Sequence, residues 1–207
     1  MIEYRWATLG CGVIANQLAQ AMQEQGGKLY SVANRTHEKA IAFAQKYGIE
    51  KVYDRIEDVF EDENVDIIYI STPHNTHIEY LRKALNAGKH VLCEKSITLN
   101  TQELEEAVAL AQKNHVILAE AMTIYHMPVY KKLEEIISSG ALGPLKLIQM
   151  NFGSYKEYDM TNRFFSRNLA GGAMLDIGVY AICFVRWFMT SKPDQIVSQV
   201  QDAHPGV

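Results

Sequence analysis

The chain has little cysteine, no block of one charge, no low-complexity tract and no cluster of metal-ligating side chains. Each absence removes a class of function. Only three of its 207 residues are cysteine (Cys11, Cys93 and Cys183), an odd number set far apart among apolar neighbours. That argues against a disulfide framework and fits buried free thiols in a reducing compartment. Lys and Arg total 20 against 24 Asp and Glu, a net charge of −4, and no basic stripe offers itself to nucleic acid. The chain opens directly on a strand pattern, with neither a basic leader nor an apolar one, and no apolar run reads as a membrane span. These features predict a cytoplasmic protein with no nucleic-acid or membrane partner and no metal. What is present is ordinary globular material, 48% hydrophobic and 21% charged, with enough chain for one or two cored domains.

The stretch 4–26 organises the rest. YRWATLG reads as a buried strand, GCGVIA as a sharp turn, and NQLAQAMQEQG as a helix with apolar residues at helical spacing. Gly10, Gly12 and Ala15 form a G-x-G-x-x-A pattern where strand meets helix. Gly10 permits the tight turn, Gly12 lets a pyrophosphate approach the backbone, and Ala15 lets the helix lie close on the sheet. Val13 and Ile14 open the helix, whose N-terminal N–H groups favour phosphate.

Strand and helix then alternate. LYSVANR (29–35), KVYD (51–54), VDIIYIST (65–72), HVLCEK (90–95) and VILAEAM (116–122) read as strands, with helices between them. The nearly continuous apolar run at 65–72 marks a central parallel strand covered on both faces. Asn75 is expected to cap the helix that follows. This rhythm predicts an α/β protein with a doubly wound parallel sheet. Past residue 122 it changes: a helix over 126–140, a long strand within 143–155, an irregular polar stretch, a long apolar helix over 171–190, and a strand over 194–203. After the first of these helices, a strand, a helix and a strand do not finish a second layer, so the C-terminal domain reads as truncated.

Cofactor choice is read at the end of the second strand. An acid there would bond a ribose 2′-hydroxyl and repel a 2′-phosphate. Asn34, Arg35 and Thr36 stand there instead, an arginine fork flanked by two uncharged donors. NADP(H) is therefore favoured, with NAD(H) as the alternative. Ser71, Thr72, Pro73 and His74 follow the fourth strand at the carboxyl edge of the sheet, where ligands of such folds bind. Asn75 and His77 are assigned there too, to the cofactor or to capping. Glu94 and Lys95 end the fifth strand at the same edge.

Five stretches together, GCGVIA, STPHNTH (71–77), AGKHVLCEKS (87–96), EAM (120–122) and AGGAMLDIGVY (170–180), resemble the glucose–fructose oxidoreductase, inositol dehydrogenase and MocA-like family. The DIGVY ending resembles its branch of sugar and trans-dihydrodiol dehydrogenases, which carries tyrosine where the inositol branch has histidine. Ser96 replaces the family's proline, and Ala170 the first glycine of its G-G-G run. If Ser96 loses the cis bond that a proline could hold, Lys95 is expected to be displaced. The resemblance implies a Rossmann domain over 1–122 and a partial α+β substrate and oligomerisation domain over 123–207. It further implies hydride transfer between a nicotinamide and a carbinol or carbonyl of a sugar, sugar derivative or dihydrodiol. Lys95, Asp176 and Tyr180 would be catalytic. Asp176 and Tyr180 lie four apart on the long helix, conspicuous among apolar neighbours. A phenol titrates near about 10, and an ammonium beside it stabilises the phenolate. Tyr155 and Arg163, with Asp176 and Tyr180, are the substrate-binding candidates. Glu120, Tyr125, His126 and Asn162 are weaker ones. A small-molecule sugar or diol and a second copy of the chain are the expected partners. The rival reading is a truncated relative that binds NADP(H) without turnover.

Overall fold

Six short strands pair side by side in one parallel sheet in the computed structural model, which describes residues 4–199. They are β1 (Trp6–Leu9), β2 (Ser31–Ala33), β3 (Lys51–Val52), β4 (Ile67–Ile70), β5 (His90–Cys93) and β6 (Leu118–Glu120), in the order β3-β2-β1-β4-β5-β6. Between them run α1 (Val13–Glu24), α2 (His37–Tyr47), α3 (Asp58–Glu61), α4 (His77–Asn86) and α5 (Thr101–Lys113). The order reverses direction at β1 and β4, whose register pairs Leu9 with Ile70. Such a reversal leaves a crevice at the carboxyl ends of the strands.

Alternation along β4 explains the layers. Ile68 and Ile70 pack with Leu81, Ala84 and Leu85 of α4 and Ala107 and Ala111 of α5. Tyr69 points to the other face and packs with Ala15 and Ala19 of α1 and Phe43, Ala44 and Tyr47 of α2. Both faces are covered, as the apolar run predicts. Alanines at the helix contacts allow close approach to the sheet. Gly48 closes α2 in the left-handed conformation at φ 65°.

Two compact units divide the chain, Met1–Ala121 and Met122–Val207. In the second, α6 (Pro128–Ser138) starts with its proline at the first turn, as expected, and α7 covers Val179–Phe188. An aromatic cluster joins them: Tyr130 meets Phe184 and Trp187 at ring-centroid distances of 5.6 and 5.9 Å. The expected long helix is interrupted. A 3-10 turn spans Arg167–Leu169, a π-helical turn spans Met174–Gly178, and only then does the α-helix begin.

Three expectations fail here. Residues 143–155 form no strand, because no described neighbour takes up their backbone groups, and Leu145, Leu147 and Phe152 are exposed. Residues 194–199 likewise form none, and 200–203 lie outside the described residues. By length and mean hydropathy of 1.6 the stretch Arg167–Phe188 is apolar enough to cross a membrane, which the reading of the sequence did not anticipate. Arg167, Asp176 and Arg186 punctuate it, which is why no unbroken run shows in the sequence.

Candidate functional site

The turn after β1 brings two glycines to different tasks. Gly10 adopts φ +103°, and a Cβ there would lie 2.8 Å from Ser71 Oγ and 3.1 Å from the Ser71 carbonyl oxygen. The turn is therefore pressed against the exit of β4, where the Ser71 N–H donates to the Leu9 carbonyl at 2.9 Å. Gly12 is the N-cap of α1, and a Cβ there would meet nothing within 4 Å. No side chain caps α1, so its first N–H groups point to open space. Val13 is 75% exposed and Ile14 43%, flanking that opening, while Ala15 is fully buried against the sheet. An uncapped helix N-terminus beside a residue without a side chain is a fitting cradle for a pyrophosphate.

Past β2, the Asn34 side-chain amide donates to the Thr36 carbonyl at 2.8 Å and shapes the turn into α2. Arg35 and Thr36 are exposed, and Thr36 is the N-cap of α2 without a side-chain cap bond. The fork of Arg35 is thus presented to solvent at the same edge.

The β4 exit is more tightly built than the sequence suggests. Thr76 donates its hydroxyl to the Pro73 carbonyl at 2.7 Å and lies 2.8 Å from the Thr72 hydroxyl, from which it can accept. His74, Asn75 and Thr76 form a 3-10 turn, and Thr76, not Asn75, precedes α4 as its N-cap. This corrects the expected cap: the extra turn moves the helix start, and Asn75 is left exposed. His74 is buried with its ring 5.7 Å from that of His77, edge to face. His77 is fully buried, with Nδ1 2.8 Å from the Ser96 carbonyl oxygen and Nε2 2.8 Å from that of Thr72.

The segment after β5 is held from three sides. Tyr69 donates to Glu94 Oε1 at 2.5 Å, and the Ile97 N–H donates to Glu120 Oε1 at 2.9 Å. Burial, then the bond to Glu94, raises the Tyr69 pKa far above the usual phenol, so it stays a donor. The Lys95–Ser96 peptide is cis with serine at that position, so the expected loss of that geometry does not occur. Lys95 itself is half-buried. Tyr69 and Glu120 were not read as supports of this segment. A hydroxyl in the aliphatic run IIYI was the available signal for the first. Cys93 is buried, and burial pushes its thiol well up, as expected of an inert structural cysteine.

Asp176 lies in the π-helical turn and Tyr180 in the first turn of α7, both half-buried. Their one-face relation was argued from regular α-helical spacing, which a π turn alters. Such turns are frequent at functional sites. Tyr180 helps line a cavity of about 360 Å³ with Thr123, Ile124, Met127, Tyr130, Met150 and Phe152. The Phe152 ring stands edge-on to Tyr180 at 5.7 Å. Gly171 and Gly172 anchor the preceding loop: their N–H groups donate to the carbonyls of Ser166 and Phe164 at 2.9 and 2.8 Å. Arg163 stacks over Phe164 at 4.2 Å, and Tyr155 is 92% exposed. Among the described residues no group of His, Cys, Asp and Glu could hold a metal.

A glycine turn at β1, a 3-2-1-4-5-6 parallel sheet and an uncapped α1 define a dinucleotide-binding Rossmann domain. The oxidoreductase family described as having an NAD-binding Rossmann fold matches residues 4–122, and the GFO/IDH/MocA C-terminal domain matches 130–207. The chain belongs to this family. It is 32% identical over 199 residues to trans-1,2-dihydrobenzene-1,2-diol dehydrogenase of Xenopus tropicalis, covering 94% of this chain and 60% of that protein. For the Mus musculus enzyme of the same name the identity is 34%, over 93% of this chain and 58% of that one. The chain thus spans about three fifths of the length of these relatives. A solved 3-ketoreductase from Actinomadura kijaniata, in complex with NADP and TDP-benzene, superposes with a TM-score of 0.77 at 26% identity. The match covers 89% of this chain and 57% of that one. An NAD-binding protein from Listeria innocua gives 0.76 at 25%, over 91% and 55%.

Proposed function

We propose that the chain is an NADP(H)-dependent oxidoreductase, acting on a carbinol or carbonyl of a dihydrodiol, sugar or sugar derivative. The observation that carries this is the open cradle at Gly12 on the uncapped N-terminus of α1, in a chain of this oxidoreductase family. Arg35, exposed after β2 with no acid beside it, supports a 2′-phosphate and hence NADP(H) over NAD(H). The adenosine half would lie over β2 and the nicotinamide half over the ends of β4 and β5. When bound, the nicotinamide accepts or gives the hydride at its C4.

The chain's own residues divide the remaining work. Tyr180 passes a proton between its hydroxyl and the substrate oxygen. The Lys95 ammonium hydrogen-bonds the substrate oxygen or the nicotinamide ribose. Asp176 orients a substrate hydroxyl. The apolar lining beside Tyr180 supports the diol of a hydrocarbon ring over a polyol, since Met127, Met150 and Phe152 offer no partner to extra hydroxyls. Self-association belongs to the same proposal, and sedimentation reads it.

The test incubates the purified chain with NADP⁺ and a panel of trans-dihydrodiols and aldoses, following NADPH absorbance. Turnover of a dihydrodiol, lost in Tyr180→Phe with nucleotide affinity retained, is the expected result. Nucleotide binding without turnover of any member would establish the non-catalytic rival instead.

A further inference from the structure

His77 is a fully buried polar side chain near the proposed nucleotide edge, and no step of the chemistry uses it. Its ring lies between two backbone carbonyls that belong to different strand exits: Thr72 after β4 and Ser96 after β5, each at 2.8 Å. A neutral imidazole donates from one nitrogen only, whereas the imidazolium donates from both. Burial pushes the His77 pKa down, while the carbonyls of Thr72, Ser96 and Ile97 and the Glu120 carboxylate oppose that shift. In either state the ring is wedged between the two exits, with His74 packed against it. Being fully buried, it offers no surface to a nucleotide. Capping, one role the sequence suggested, falls to Thr76 instead.

The neighbours it ties are the ones that matter. Thr72 lies one residue beyond Ser71, whose backbone abuts Gly10, and Ser96 directly follows Lys95. We propose that His77 is a positioning residue, which fastens the β4 exit to the Lys95 segment and so fixes the nicotinamide half of the nucleotide site. This rests on the NADP(H) reading. It says that the two halves of the site are held separately: the adenosine half by the Gly12 turn and Arg35, the nicotinamide half through His77.

Titration of the chain with NADP⁺ and with adenosine 2′,5′-bisphosphate, which lacks the nicotinamide half, separates the two. In His77→Phe, affinity for NADP⁺ is expected to fall about tenfold while that for the bisphosphate stays within about twofold, as the loss of a buried bond near one half predicts. His77→Asn places its amide where Nδ1 was and keeps the Ser96 arm; His77→Gln keeps the Thr72 arm. The asparagine variant should therefore retain more NADP⁺ affinity than the glutamine one. Equal weakening of both ligands, or none, overturns the proposal. If His77→Phe does not fold, the wild-type chain decides: the His77 ring ¹⁵N resonances should shift with NADP⁺ and stay put with the bisphosphate. Identical responses to the two ligands would overturn the proposal. A wild-type chain that binds neither ligand removes the cofactor reading and this inference together. Binding of both, with parity in the variants, removes only the inference.

Discussion

Adding one methyl group at Gly10 or at Gly12 should separate folding from binding. At Gly10 a Cβ would meet the Ser71 hydroxyl at 2.8 Å, which can rotate away. It would also meet the Ser71 carbonyl oxygen at 3.1 Å and carbon at 3.2 Å. Those backbone atoms cannot follow, since the Ser71 N–H is bonded to Leu9. The residue must moreover hold φ +103°, where an L side chain is strained. Together these effects are expected to cost Gly10→Ala about 2–3 kcal/mol. For a domain of this size that is a fall of about 6–12 °C in Tm. At Gly12 the φ is −74° and the space is open, so folding should lose less than about 1 kcal/mol, through the poorer helix cap that alanine makes. The added methyl stands where the pyrophosphate would lie, so NADPH affinity should fall at least about tenfold. Urea unfolding and NADPH fluorescence titration of both variants measure the two quantities. Gly12→Ala that unfolds as readily as Gly10→Ala, or binds NADPH like wild type, refutes the reasoning.

Other expectations concern residues away from that turn. Burial alone would raise the Asp62 pKa, but bonds from Lys51, Tyr53 and Asn64 outweigh it and hold the carboxyl well below the usual range. A depressed folded-state pKa contributes stability that is full above the unfolded value near about 3.9 and lost as pH falls below it. Asp62→Asn should therefore cost about 2 kcal/mol at neutral pH and flatten the acid limb of the stability curve, as urea titrations at several pH values would show. Ala170 and His115 hold φ of 57° and 55°, so Ala170→Gly and His115→Gly should each raise stability by about 1 kcal/mol in urea unfolding; a loss in either would contradict the strain argument. Tyr180→Phe should leave NADPH fluorescence quenching intact while removing turnover.

The Rossmann sheet was legible because its signals are local: an apolar run of strand length, glycines at fixed offsets, and helices with small residues on one face. Gly10 could be assigned its tight turn from the motif alone, and the coordinates add the Ser71 backbone that a Cβ there would meet; at Gly12 they show open space. The supports of the Lys95 segment were not legible. Tyr69 to Glu94 and Glu120 to Ile97 are contacts across 25 and 23 residues, set by strand register that periodicity does not encode. The two bonds of His77 were out of reach for the same reason, since its carbonyl partners come from separate loops. Asn75 failed as a cap because a 3-10 turn shifts the helix start by one residue. In the second unit, alternation over 143–155 looked like a strand, but a strand exists only with a neighbour, and among the described residues there is none. Likewise the π-helical turn at Met174–Gly178 leaves no mark on hydrophobic spacing.

A crystal structure of the chain with NADP⁺ would test the whole scheme in one measurement. The expected density places the pyrophosphate on the N–H groups of Gly12, Val13 and Ile14, the 2′-phosphate at Arg35, and the nicotinamide at the ends of β4 and β5. A nucleotide bound away from the Gly12 turn, or a 2′-phosphate with no contact to Arg35, would contradict it.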